Sequence, residues 1–261
     1  MLVVIRGAGD LASGIAYRLR RANFDIIMTE IAQPTCIRQT VAFSTAIGRG
    51  SQTVEGVTGR LCAGEEEIDR ALDAGEIAVV VDEEGAVIQR RKPFAAVDAI
   101  LAKRNLGTSI DMAPVVVGVG PGFTAGVDCH YAVETKRGHY LGKVLEEGSP
   151  IPNTGEPGNI GGFTSERVIR ASGDGAFLPL AAIGDRVEAG QLVARAGESP
   201  VYASISGIVR GMLSPGISVT TGFKCGDIDP RCALDHCFTI SDKARAIGGG
   251  VLEAIMRRIH L

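Results

Sequence analysis

The sequence predicts an α/β chain: a doubly wound parallel sheet in the first half, a small all-β domain in the second, and a C-terminal helix. Three observations carry that reading. An apolar β-branched run, Leu2 to Ile5, meets a glycine-rich turn and then Leu11, Ile15 and Leu19 at helical spacing. Further apolar runs alternate with charged or glycine-punctuated segments as far as residue 147. From Val168 onward the texture changes to short β-prone runs broken by closely spaced glycines.

The first strand, turn and helix form the sharpest motif. Gly7, Gly9 and Ala12 match G-x-G-x-x-G/A, in which the first glycine allows a tight turn, the second lets backbone approach a pyrophosphate, and the third small residue lets helix pack on strand. Gly7, Ala8, Gly9, Asp10, Leu11 and Ala12 are therefore expected to hold a phosphate at a helix N-terminus, although the Asp10 carboxylate would repel it unless it capped the helix. A second strand, Asp25 to Glu30, ends on an acid at the distance where a ribose-binding carboxylate is expected. Glu30 is that residue, and the first part reads as Rossmann-like.

Ile77 to Val81 and Ala95 to Ala102 read as buried strands, with a short helix expected between Glu83 and Lys92. Lys103, Arg104 and Asn105 then fall at the carboxyl edge of the sheet and would clamp an anion. Val115 to Val119 is another strand, opening into Gly120, Pro121 and Gly122, a second glycine turn on the same edge. Asp128, Cys129 and His130 start a strand running to Thr135. His130 and His139 sit at strand ends, where a hydrogen-bonded structural role is the commoner use, so no catalytic set is assigned.

Residues 148–165 form a connecting loop rich in Gly, Pro and Asn, which excludes a helix or a central strand. In residues 166–240 the arrangement Gly184-Asp185-Arg186-Val187, Gly190-Gln191, Pro200-Val201-Tyr202-Ala203 and Ser206-Gly207-Ile208-Val209 looks like the hairpins of a barrel-sandwich hybrid, the fold of biotinyl and lipoyl carriers. Gly197-Glu198-Ser199-Pro200 lacks the lysine of such carriers, so only the fold is expected. Cys225, Asp227, Asp229, Cys232, His236 and Cys237 crowd together, but the cysteine spacing lacks the short knuckle of structural zinc sites, and no metal is expected. Residues 241–261 read as a helix started by Ser241, with Arg257, Arg258 and His260 at its C-terminal end and Gly248 to Gly250 allowing close packing.

Composition narrows the function. The net charge of -3 offers no field for a polyanion, so nucleic acid is excluded as a first reading. The longest uncharged stretch, Met112 to Val127, carries two prolines and four glycines and cannot span a bilayer as a regular helix. The apolar N-terminus has no basic region before it. The 6 cysteines are scattered in a chain large enough to fold without disulfides, which predicts thiols in a cytoplasmic protein. Glycine stands out: 35 of 261 residues, nearly twice the usual ~7%.

Val4-Ile5-Arg6-Gly7-Ala8-Gly9-Asp10-Leu11-Ala12, Met28-Thr29-Glu30, Gln33-Pro34-Thr35 and Asp98 to Asn105 resemble the selenium-dependent molybdenum hydroxylase system protein family. The resemblance continues through Gly118 to Phe123, Asn153 to Gly162 and Phe238 to Gly250, and so covers nearly the whole chain. It implies an accessory or maturation protein of a molybdenum hydroxylase; with the glycine loop, that protein is expected to bind a nucleotide-bearing anionic cofactor, molybdopterin dinucleotide or NAD(P), and a homo-oligomer is also expected. A second expectation is an NAD(P)-dependent oxidoreductase whose substrate lies near Asp128 and His130. A third is a selenium or sulfur carrier on Cys237.

Overall fold

The computed structural model describes residues 1–153, 155 and 157–259 and divides into two compact units. One comprises Met1–Pro34, Ala42–Thr154 and Ile240–Leu261; the other comprises Thr35–Val41 and Gly155–Thr239. Thr154 and Glu156 of the expected connecting loop, and His260 of the expected helix end, lie outside the described residues.

The first unit runs β1 (Leu2–Arg6), α1 (Asp10–Arg21), β2 (Asp25–Glu30), α2 (Ala46–Arg49), β3 (Ser51–Val54), β4 (Val57–Leu61), α3 (Glu65–Asp73), β5 (Ile77–Val81), α4 (Ala86–Arg91), β6 (Ala95–Asp98), β7 (Val115–Val119), β8 (Tyr131–Val133) and β9 (Val144–Leu145). These strands form one sheet in the order β3-β4-β5-β2-β1-β6-β7-β8-β9. Neighbours from β4 to β8 are parallel, and the outermost pairs, β3 with β4 and β8 with β9, are antiparallel. The central strands are nearly continuous Val, Ile and Ala because both of their faces are covered. The β3–β4 hairpin turns on Glu55 and Gly56, both at positive φ, as a two-residue turn of that hand requires.

The C-terminal helix α5 (Asp242–Met256) belongs to the same unit and starts at Ser241, whose hydroxyl accepts from the Ala244 N–H at 3.2 Å. It lies on α1 at backbone distance: a Cβ added to Gly14 would sit 2.6 Å from the Ala244 Cβ, and one on Gly248 would sit 2.9 Å from the Gly14 carbonyl. Gly249, the middle of the three glycines, faces open space.

In the second unit β10 (Val168–Arg170), β11 (Gly175–Pro179), β12 (Arg186–Val187), β13 (Leu192–Ala196), β14 (Ser199–Tyr202), β15 (Gly207–Met212), β16 (Ser218–Val219) and β17 (Lys224–Asp229) form two four-stranded antiparallel sheets, β10-β17-β15-β12 and β14-β13-β11-β16. Their core is built from Phe177, Val193, Val209, Leu213 and Ile228.

This architecture corrects the expected Rossmann-like doubly wound sheet joined to a barrel-sandwich hybrid. The chain is a mixed α/β protein with a large, mostly parallel nine-stranded sheet and two separate antiparallel sheets. The alternating rhythm fails in two places. After β2 the chain enters Thr35–Val41 of the other unit and returns through short helical turns and an antiparallel hairpin rather than a crossover helix. Between β7 and β8 it runs through turns and an isolated bridge with no helix. A glycine loop between two strands is a local statement, and sheet width and edge strands are decided elsewhere in the chain. No helix among the described residues is long and apolar enough to cross a membrane.

Candidate functional site

The carboxyl ends of β1, β2, β5 and β6 frame a cleft of about 440 Å³ in the first unit. In a parallel sheet this edge is where ligands gather, because the loops that leave the strands there are free to vary. The cleft has a polar floor, an acidic wall and an apolar side formed by Ile31, Ile100 and Leu106.

The floor is built around Arg6, the last residue of β1, which is 4% exposed. Its Nη1 donates to Asp98 Oδ2 at 3.1 Å and to Thr108 Oγ1 at 2.7 Å, and its Nη2 donates to the Leu106 carbonyl at 3.1 Å. Thr108 Oγ1 donates in turn to Asp98 Oδ2 at 2.6 Å. Asn105 closes the loop that brings Thr108 there: its Oδ1 accepts from the Thr108 N–H and its Nδ2 donates to the Thr108 carbonyl, both at 2.7 Å. The Arg6 Nε–H has no partner although it is buried. Gly85 lies over it; a Cβ there would stand 3.2 Å from Nε.

Beside Arg6, the chain turns at Gly7 with φ +95°, and a Cβ there would be 2.9 Å from the Ala99 carbonyl, so the position requires glycine. The acidic wall is Glu30, Asp82, Glu83 and Glu84. Asp82 is spent locally: its carboxylate accepts from the N–H groups of Gly85, Ala86 and Val87 and starts α4. Glu30 Oε2 accepts from the Ala8 N–H at 2.9 Å and Oε1 from the Ile31 N–H at 3.0 Å. Glu83 and Glu84 are exposed.

Of the residues expected to bind a cofactor, Gly7 and Glu30 line the cleft. Ala8, Gly9, Asp10, Leu11 and Ala12 turn from the strand into α1 beside it. Gly9, not Asp10, takes the capping position, and its N–H-rich turn has lost the Ala8 donor to Glu30. Lys103, Arg104 and Asn105 do meet the Gly120-Pro121-Gly122 turn: a Cβ on Gly122 would sit 2.7 Å from the Arg104 Cα. That contact is backbone against backbone, and none of these residues lines the cleft; Asn105 acts behind it, holding the loop that presents Thr108 to Arg6.

The expected chemistry at the histidines and cysteines does not assemble. His130 Nδ1 accepts from the Val116 N–H at 3.0 Å, and the ring titrates below its ordinary range, chiefly because it is buried and secondly because Arg258 is near. His139 stacks edge-on against Tyr140 at 5.0 Å between ring centres. None of the six cysteines is in a disulfide. Burial pushes the Cys129 thiol to about 11 and raises Cys62, Cys225 and Cys237, so these are inert thiols rather than nucleophiles. Among the described residues no three His, Cys, Asp or Glu side chains are placed to hold a metal.

Arg6, Asp98, Thr108 and the acidic triplet Asp82 to Glu84 were missed at the level of sequence. A charged residue ending an apolar strand (Val3-Val4-Ile5-Arg6), and acids directly after Ile77 to Val81, were the available signals.

The architecture and cleft define an α/β protein with a carboxylate-rich cleft at the carboxyl edge of its parallel sheet. No family model matches the chain. It is 52% identical over 259 residues to "Uncharacterized protein YqeB" of Escherichia coli (strain K12), covering 99% of this chain and 48% of that protein. The chain thus spans about half the length of the curated relative it matches. Among solved structures, an aspartoacylase family protein from Mesorhizobium loti aligns at TM-score 0.28 and 12% identity, covering 87% of this chain and 84% of that one. A succinylglutamate desuccinylase/aspartoacylase from Rhodobacter sphaeroides aligns at TM-score 0.27 and 16% identity over 87% and 85%. The ectoine utilization protein EutE (DoeB) of Ruegeria pomeroyi aligns at 0.24 and 13% over 87% and 84%. At such TM-scores the likenesses assign neither fold nor activity to this chain.

These findings correct the functional expectations. None of the comparisons connects the chain to the selenium-dependent molybdenum hydroxylase system, and its role as a maturation factor is withdrawn. The NAD(P) oxidoreductase expectation is withdrawn with it. Both oxygens of Glu30 accept from backbone N–H groups, so the carboxylate ties down the glycine turn.

Proposed function

We propose that this protein binds a small organic cation that also carries a hydroxyl or carbonyl oxygen, of the amino-alcohol or amino-sugar type, in the cleft at the carboxyl edge of β1, β2, β5 and β6. The carrying observation is the charge balance of the cleft. The Arg6 charge is matched by Asp98 at 3.1 Å, which leaves Glu30, Glu83 and Glu84 without a cationic partner in the wall. Carboxylates accept from ammonium and hydroxyl donors, and each oxygen of Glu30 retains a second acceptor site. The Arg6 Nε–H, buried and unpartnered, supplies a donor for a ligand oxygen. An anion at the same place meets three carboxylates.

Six scattered cysteines in a chain large enough to fold without disulfides support a reducing cytoplasm as the working compartment. The test of the binding reading is a titration of the full chain with glucosamine, ethanolamine, glucose and NAD, followed by calorimetry. Glucosamine or ethanolamine binds saturably, and Glu83→Lys with Glu84→Lys weakens it on the order of tenfold. Saturable NAD binding without amine binding overturns the reading.

A further inference from the structure

The second unit buries more positive than negative charge in one place. Segment Thr35–Val41 lies along β15: the Met212 N–H donates to the Ile37 carbonyl at 2.8 Å, and Gln39 Nε2 donates to the Met212 carbonyl at 2.6 Å. Gly211 makes room for it, since a Cβ there would be 3.1 Å from the Ile37 side chain. This brings Arg38 beside Arg210 of β15, and both are nearly sealed from solvent at 6% and 7% exposure. Arg38 Nη2 donates to the carbonyls of His236 at 3.0 Å and Thr239 at 3.3 Å, and Arg210 Nε donates to the same His236 carbonyl at 3.4 Å. These partners are neutral.

The carboxylates nearby are already engaged. Asp227 pairs with Arg167. Asp229 accepts from Arg231 at 2.9 Å through Nε, at 2.6 Å through Nη2 and at 3.0 Å through the backbone N–H, and stands 3.8 Å from Arg210. Asp235 is exposed on the same turn, where water screens it. Four guanidiniums, Arg38, Arg167, Arg210 and Arg231, share the two carboxylates Asp227 and Asp229, both of which act on Arg210. In the same cluster two buried donors or acceptors lack a partner: Arg38 Nε and His236 Nδ1, the latter 3.9 Å from Asp229 Oδ2. A folded protein rarely leaves such groups uncompensated, because an unpaired buried charge costs several kcal/mol. The His236 and Arg231 side chains are 38% and 43% exposed and open the cluster to solvent.

We infer that Arg38, Arg210 and His236 form an oxyanion-binding site in the second unit. A tetrahedral dianion, phosphate or sulfate as a free ion or as a group on a larger molecule, fits two guanidiniums and an imidazole; planar guanidinium forks bind such oxygens in pairs. An anion there accepts from Arg38 Nε and from His236 Nδ1 and balances the excess charge. This site is separate from the cleft, and its ligand is of opposite charge.

The experiment is a calorimetric titration of the full chain at constant ionic strength with inorganic phosphate, sulfate and acetate, and with glycerol phosphate as the organic monoester. Phosphate or sulfate binds saturably with one site and acetate binds more weakly. Arg38→Gln weakens phosphate on the order of tenfold and His236→Gln about threefold. Tighter binding of glycerol phosphate than phosphate assigns the site to a phosphorylated metabolite; equal binding assigns it to the free ion. Glu83→Lys in the cleft leaves phosphate binding unchanged, which separates this site from the proposed function. His236 is half-exposed, so His236→Gln tests the site even where Arg38→Gln fails to fold. Absence of saturable phosphate or sulfate binding up to about 10 mM, or wild-type affinity in His236→Gln, overturns the inference.

Discussion

The two units handle a buried arginine in opposite ways. Arg6 in the first unit has a carboxylate, a hydroxyl and a carbonyl on its terminal nitrogens, and the carboxylates around it outnumber it. Arg38 and Arg210 in the second have carbonyls for their nearest partners, and the guanidiniums outnumber the carboxylates. The first site keeps one unpartnered buried nitrogen, Arg6 Nε, and the second keeps two, Arg38 Nε and His236 Nδ1. The lesson is that a buried arginine by itself says nothing about ligand charge. What decides is the charge left over after the protein's own pairs are counted.

The largest effect is expected where a pair is closed. Asp227→Ala leaves the Arg167 guanidinium buried without its carboxylate, and denaturant unfolding should show a loss of about 3–5 kcal/mol. Replacing both residues with Met should recover most of that, which would separate this closed pair from Arg38 and Arg210. Next in size is Gly7→Ala. Its positive φ costs about 1–3 kcal/mol, and the added methyl pushes on the Ala99 carbonyl, so amine binding in the cleft should fall with stability while phosphate binding holds.

A smaller effect is expected from Asp229→Asn. Burial raises the Asp229 pKa, but hydrogen bonds from the Arg231 side chain and backbone, and the charges of Arg231 and Arg210, outweigh it and the net shift is downward. A carboxylate lowered on folding adds stability that is fully present above its unfolded value, about 3.9, and is lost as the pH falls through the folded value. The stability of Asp229→Asn should therefore depend less on pH below about 4 than that of the wild type, as read by acid titration of denaturant midpoints. Smallest, and of opposite sign, Gly249→Ala should stabilise by about 0.5–1 kcal/mol. It sits inside α5 with nothing within 4 Å of the added methyl.

Local elements were legible in the sequence where one residue type forces one conformation. Leu2 to Ile5, Ile77–Val81 and Val115–Val119 read as apolar runs and became largely buried strands, the first extended by one residue to Arg6. Ser241 started its helix as read. The run from Ala95 stopped at Asp98 because Leu101 and Lys103 adopt positive φ, which apolar patterning does not reveal. The strand read from Asp128 to Thr135 shrank to Tyr131–Val133, since Asp128 and Cys129 are used in turns and a bridge. The hairpin Ser51–Leu61 escaped notice because its Glu-Gly turn is flanked by weak alternation. The candidate sites were the least legible. Arg6 is 92 residues from Asp98 and Arg38 is 198 from His236, so only the fold joins them. The glycine turn was found correctly as a turn, and nothing in its own residues shows that Glu30 accepts from its Ala8 N–H.

The most direct test of opposite charge preference in the two units is one amide NMR titration of the full chain, first with glucosamine and then with inorganic phosphate. The account predicts that glucosamine moves the signals of Gly7, Ile31 and Gly107, and that phosphate moves those of His236, Cys237 and Thr239. Phosphate moving Gly7 to Ala12 instead, with glucosamine moving none of the cleft signals, would contradict it.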